Sequence, residues 1–168
     1  HSFPTRRSSD LVVVDSLCAS LGQGLLVHQA VKLRTQGLDA ASTGQQIEAI
    51  KGNIVHDFTV DDLNHLHRGG RVSKATAVVG SLMGIKPVLH VDDDGHLVAV
   101  GKARGRKASI QALIDRMTAQ MEGFDNQEVF ISHGDCPQDA EYLAGLVREK
   151  FGIQDITIDY RSEEHTSE

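Results

Sequence analysis

The sequence predicts an α/β fold in which helices flank a mixed sheet. Three observations carry it. Short β-branched runs alternate with longer stretches of helical period, Gly or Pro stands at most of the changes between them, and Asp94-Gly95 sits between two alternating segments. Strands alternating with helices imply crossover connections, and one hairpin adds an antiparallel pair, so strands of both senses are expected.

Taken in order, Val12-Val13-Val14 reads as a short buried strand ending in the loop Asp15 to Ser20. Ser20 is placed to cap a helix whose apolar positions are Leu21, Leu25, Val31 and Leu33, closed by Gly37. A second helix is expected from Thr43 to Lys51, a strand from Ile54 to Val60, and a short helix capped by Asp61 and running to Leu66. After Gly69-Gly70, Ser73 is placed to cap an apolar helix carrying Val78, Val79, Leu82 and Met83. Lys86 to Val91 and His96 to Lys102 alternate around Asp94-Gly95, a strong hairpin signal. A long helix follows from Lys107 to Met121, with Ile110, Leu113, Ile114 and Met117 on one face. The remainder reads as a strand from Glu128 to Ser132, a helix opened by Pro137 with Gly152 beyond its end, and a strand from Ile156 to Tyr160.

Hydrophobic residues make up 40% of the 168, enough to build a core. No apolar run approaches the roughly 20 residues of a membrane span. Two cysteines, Cys18 and Cys136, form no spacing motif, which fits reduced thiols in a cytoplasmic protein and points to no metal. A net charge of −6 argues against general nucleic-acid binding. The charge is uneven, however: Leu66 to Lys107 holds eight Lys or Arg against three Asp, which suggests a local anionic partner. The two ends, HSFPTRRSSDL and RSEEHTSE, lack any apolar period and read like translated sequencing-adapter DNA. Residues 1–11 and 161–168 are therefore expected to be non-native tails that pack on nothing.

Few side chains form a chemical constellation. No Ser-His-Asp, Cys-His or paired-carboxylate arrangement stands out, so no catalytic residue is assigned. His65 and His67 lie two apart and point to different helix faces, and Asp92-Asp93-Asp94-Gly95 lacks the spacing of a calcium loop. Gly22 and Gly24 fall short of a dinucleotide-binding fingerprint. Three loops remain. Ser16 and Ser20 stand between the first strand and helix, where hydroxyls and helix N–H groups can meet an anion. Arg71 follows two glycines, which allow φ > 0 and close backbone approach, and its guanidinium can grip a carboxylate or phosphate. His133 ends a strand. An enzyme acting on a small phosphorylated metabolite at the Ser16, Arg71 and His133 loops is one reading of them.

Four segments in order give another. "VDSLCASLGQGLLVHQAVKL", "FTVDDLNHLHRGGRVSKATAVVGSLMGIKPVL", "GHLVAVGKARGRKAS" and "VFISHGD" resemble the DegV family of bacterial fatty-acid-binding proteins. The resemblance spans nearly all of Val12 to Tyr160. It implies a two-domain α/β fold, of which residues 12–52 would be the end of the N-terminal domain and 53–160 the C-terminal domain. It also implies a protein that is not itself an enzyme and uses no cofactor. Such a protein encloses a long-chain fatty acid and presents its carboxylate to a separate fatty-acid kinase. On that view Ser16, Ser20 and Arg71 lie near the head group, while Leu82, Ile85, Pro87 and Val88 help wall the acyl chain. Lys102, Arg104 and Arg106 would form a docking surface for the kinase. The hydroxyl motifs and the Gly-x-His-x-Gly-Pro-Gly segment expected of the family are absent from this sequence, and His133 does not take over that histidine's role.

Overall fold

The computed structural model describes residues 11–72, 84–121 and 128–160. The chain divides into two compact units, His1–Ile54 and Val55–Glu168.

The first unit is a helical pair. Helix α1 spans Ser20–Thr35 and α2 spans Ala40–Ile50, followed by a 3₁₀ turn, Lys51–Asn53. Gly37, at φ +94°, ends α1: its N–H donates to the Arg34 carbonyl and the Leu38 N–H to that of Leu33. This double bond satisfies carbonyls that a helix end leaves open, and it needs a residue free of a Cβ penalty at the turn. Asp39 caps α2 by accepting from the Ser42 N–H at 2.7 Å, and those hydrogen bonds hold its carboxyl below the usual range. Leu26 and Ile47 are the buried apolar side chains of the pair.

Two expectations fail here. Val12 to Val14 forms no strand, and Val13 is 89% exposed. A β-branched run becomes a strand only where a neighbour completes its backbone hydrogen bonds, and this unit has no strand among the described residues. Ser20 is not a cap but the first residue of α1. The cap position is Ala19, whose side chain has nothing to offer the helix.

The second unit holds all five strands found among the described residues. β1 (Asp57–Thr59), β2 (Ile85–Val91) and β3 (Leu97–Arg104) form an antiparallel sheet in that order, and β4 (Val129–His133) pairs in parallel with β5 (Ile156–Tyr160). Strands of both senses are present, but in two sheets. The β2–β3 register pairs Val88 with Gly101 and Leu89 with Ala99, so Val100 is the extra residue of a bulge. α3 (Asn64–Arg68) follows β1, α4 (Arg106–Gln120) packs across β1, β2 and β3, and α5 (Pro137–Phe151) packs on β4 and β5. Leu89, fully buried, joins Leu63 and Val72 in one core cluster, whereas Ile131, Ala140 and Ala144 form another. Adjacent strand residues face opposite ways, and Val88 is only 1% exposed, so β2 is covered on both faces.

The strand expected from Ile54 to Val60 shortens to three residues, and Asp61 caps no helix. Asp62 instead accepts from the Asn64 N–H, at 2.6 Å, at the start of α3. The Asp61 carboxylate is drawn to cations elsewhere in the unit. The helix expected after Ser73 lies outside the described residues.

The Gly-Gly-Arg turn is an exit from α3. Gly70, at φ +71°, donates its N–H to the His67 carbonyl, and the Arg71 N–H donates to that of Leu66 at 2.8 Å. Replacing Gly70 by Ala forces a Cβ into the left-handed region at a cost of about 1–2 kcal/mol. Urea unfolding will register that loss, although the position itself is open space.

Candidate ligand site

A cleft of about 550 Å³ opens in the first unit, within the size range of small-molecule sites. Leu26, Val27, Val31 and Ile47 form much of its apolar wall, with Leu11 and Val12 on the strandless segment. Leu11 was placed in the non-native tail by sequence; it lines this cleft. Polar groups enter singly, notably Ser16, Gln23 and Arg34. Ser16 is partly engaged by its own loop. Its Oγ accepts from the Cys18 N–H and lies at 3.3 Å from the Cys18 carbonyl oxygen, to which it donates. Leu17 and Ser20 both hold positive φ, so the loop is bent at two residues that would ordinarily avoid that conformation. Lys51 fastens it by donating to the Asp15 carbonyl at 3.0 Å. Burial pushes the Cys18 thiol up, away from the reactive thiolate.

In the second unit, Arg71 is exposed and its Nη1 donates to the Gly69 carbonyl at 2.8 Å. Its guanidinium lies over Gly69, where any Cβ would meet it. Ile85 is half-buried, whereas Pro87 and Val88 are buried within the unit; Leu82 lies outside the described residues. The Pro87 carbonyl accepts from the Thr59 hydroxyl at 2.8 Å.

The expected docking cations divide. Lys102 and Arg104 are exposed on β3, and their side chains have no partner among the described residues. Arg106 is held: Nη2 bonds Asp61 Oδ1, and Nε meets Asp139 Oδ2 at 3.3 Å. Lys86 Nζ reaches the same Asp61 oxygen at 2.7 Å. Sequence reading missed Lys86 and Asp61, because the pair is 25 residues apart and only the fold joins them. The Lys86 hydrogen bond first, and the Arg106 charge after it, hold the Asp61 carboxyl below its usual range. A depressed folded value means that this stabilisation is present above about pH 4 and fades as pH falls through the folded value. The unfolding midpoints of the parent and of Asp61→Asn should therefore differ at neutral pH and converge in acid.

His133 closes β4, with its Nδ1 buried and without a hydrogen bond among the described residues, and its ring meets Tyr160 edge-on at 5.5 Å. Among the described residues no group of His, Cys, Asp and Glu could hold a metal ion, and no helix is long and apolar enough to cross a membrane.

An α/β scaffold bearing an apolar cleft edged by single polar groups is an architecture in which proteins hold small amphipathic molecules. A family described as "uncharacterised protein, DegV family" matches residues 3–164, and the chain belongs to that family. A DegV domain-containing protein of Clostridium perfringens is 43% identical over 152 residues, covering 90% of this chain and 52% of its own. The fold is similar to that of the Streptococcus pneumoniae Fatty Acid Kinase B3 protein loaded with linoleic acid (TM-score 0.81, 29% identity, 89% of this chain and 52% of that one). It is also similar to a fatty acid binding DegV family protein from Streptococcus agalactiae (TM-score 0.75, 29% identity, again 89% and 52%). The chain thus spans about half the length of the relatives it matches. The resemblance read from the four sequence segments holds, as does the α/β class. The Streptococcus pneumoniae protein holds linoleic acid, and the Streptococcus agalactiae protein is described as fatty acid binding.

Proposed function

We propose that this chain forms part of a cytoplasmic DegV protein that binds a long-chain fatty acid and presents its carboxylate to a separate fatty-acid kinase, without catalysing a reaction itself. The observation that carries the reading is the 29% identity and shared fold with proteins whose ligand is a fatty acid. The apolar cleft beside Ser16 supports it, because burial contributes about 0.8 kcal/mol per methylene and rewards a long hydrocarbon tail. Residues 12–52 and 53–160 are assigned to the two domains of that protein. Ser16, Ser20 and Arg71 are assigned to the carboxylate. Leu82, Ile85, Pro87 and Val88 are assigned to the tail. The exposed cations Lys102 and Arg104 suit an acidic face of the kinase. Arg106 contributes there only if it leaves its two aspartates.

Native mass spectrometry of the full-length protein purified from a bacterial host tests the reading. A co-purified acid of the stearic or linoleic kind is the expected result; a bound nucleotide or sugar phosphate overturns it. In the same full-length protein, Arg71→Ala should change stability by no more than about 0.5 kcal/mol, as for an exposed residue. Acid transfer to the kinase should fall by far more. Equal losses of folding and transfer would make Arg71 a structural residue of its turn.

A further inference from the structure

The geometry points to an anion site in the second unit: Lys86 and Arg106 form a two-cation receptor for the oxygens of a phosphate group, occupied here by the Asp61 carboxylate as an internal stand-in. It goes beyond fatty-acid binding and does not depend on it. Both cations converge on one oxygen, Asp61 Oδ1. Their side chains are only 21% and 28% exposed, whereas that of Asp61 is 72% exposed. The receptor is therefore set into the unit and the occupant sits on its outside, on the loop between β1 and α3.

The surroundings favour an anion with more oxygens than a carboxylate. Arg106 is the first residue of α4, whose cap is Gly105 at φ +82°, and no side-chain cap hydrogen bond is made there among the described residues. The Gly105 N–H donates to the Gly84 carbonyl at 2.8 Å, which ties that turn to the start of β2 beside Lys86. The carboxylate gives Oδ1 to both cations, whereas a phosphate offers each cation its own oxygen and has others left for helix N–H groups. Asp139, in the first turn of α5, holds the Arg106 Nε from the other side and so aims the Nη edge at Asp61. Lys102 and Arg104, exposed on the strand that leads into α4, add a field that draws anions toward it.

Titration of the 168-residue chain and of Asp61→Asn with inorganic phosphate and with phenyl phosphate, followed by NMR at the Arg106 Nε–H and the amides of residues 105–108, decides the matter. Removing the stand-in should tighten phosphate binding by up to about fivefold, since an exposed ion pair is worth up to about 1 kcal/mol. Adding Lys86→Met to Asp61→Asn should abolish the gain. Tighter binding of phenyl phosphate assigns the site to a phosphate ester and tighter inorganic phosphate assigns it to the free ion; either supports the receptor. Equal affinity in the parent and in Asp61→Asn, or a gain that survives Lys86→Met, overturns it. Asp61→Ser carries the same comparison should Asp61→Asn fail to fold.

Discussion

Asp57→Ala is expected to destabilise the second unit by about 3–5 kcal/mol, the usual cost of stripping one partner from a buried ion pair. The Asp57 side chain is 9% exposed and is met by three donors from two elements. His90 Nδ1 on β2 lies at 2.9 Å, and Arg116 Nη2 on α4 at 2.9 Å. The Gln120 amide, turned so that its nitrogen faces Asp57 Oδ2 at 2.7 Å, also accepts from Arg116 Nη2 at 3.1 Å. One carboxylate thus ties β1, its neighbour β2 and the helix that packs across them. Alanine would leave the Arg116 guanidinium, whose Nε already has no partner among the described residues, without this counter-charge. Asp57→Asn keeps the shape and should lose less. Urea denaturation of both variants measures the difference. A loss below 1 kcal/mol for alanine would show that water reaches Arg116 freely and that the cluster is no clasp.

Leu89→Ala should cost about 2–5 kcal/mol. Leu89 is fully buried at the centre of the cluster with Leu63 and Val72, with Phe58 and Leu97 packed around it. Phe58 and Leu97 sit on strands paired with β2, and Leu63 and Val72 flank the short helix α3, so they cannot all move inward to fill the void, which places the expected value in the upper half of that range. Thermal unfolding is the measure. A companion change at Val100, which the bulge leaves 41% exposed on the same sheet, should be nearly silent. The contrast isolates burial from strand propensity, because both residues are apolar and both lie in strands.

These two residues also mark what could be read from the chain alone. Local rules are written in neighbouring residues, and they held where the structure is local. Asp94-Gly95 makes the hairpin, Pro137 and Gly152 bracket α5, Gly37 closes α1, and the spacing of Ile110 and Ile114 buries one face of α4. The family, too, was legible, because four ordered segments carry far more information than any one motif. What failed was each inference that needed a distant partner. Val12 to Val14 has the composition of a strand, but a strand is completed by another strand's backbone, and none stands beside it among the described residues. Asp61 has the composition of a helix cap, yet Lys86 and Arg106, 25 and 45 residues away, offer its carboxylate two charges where a cap offers one N–H. Asp57 gave no signal at all, since nothing in its own segment shows that His90, Arg116 and Gln120 will surround it. Sequence determined the elements, their turns and the kinship of the protein. Tertiary structure decided which charges meet, because an ion pair's strength depends on distance and burial, and neither exists until the chain has folded.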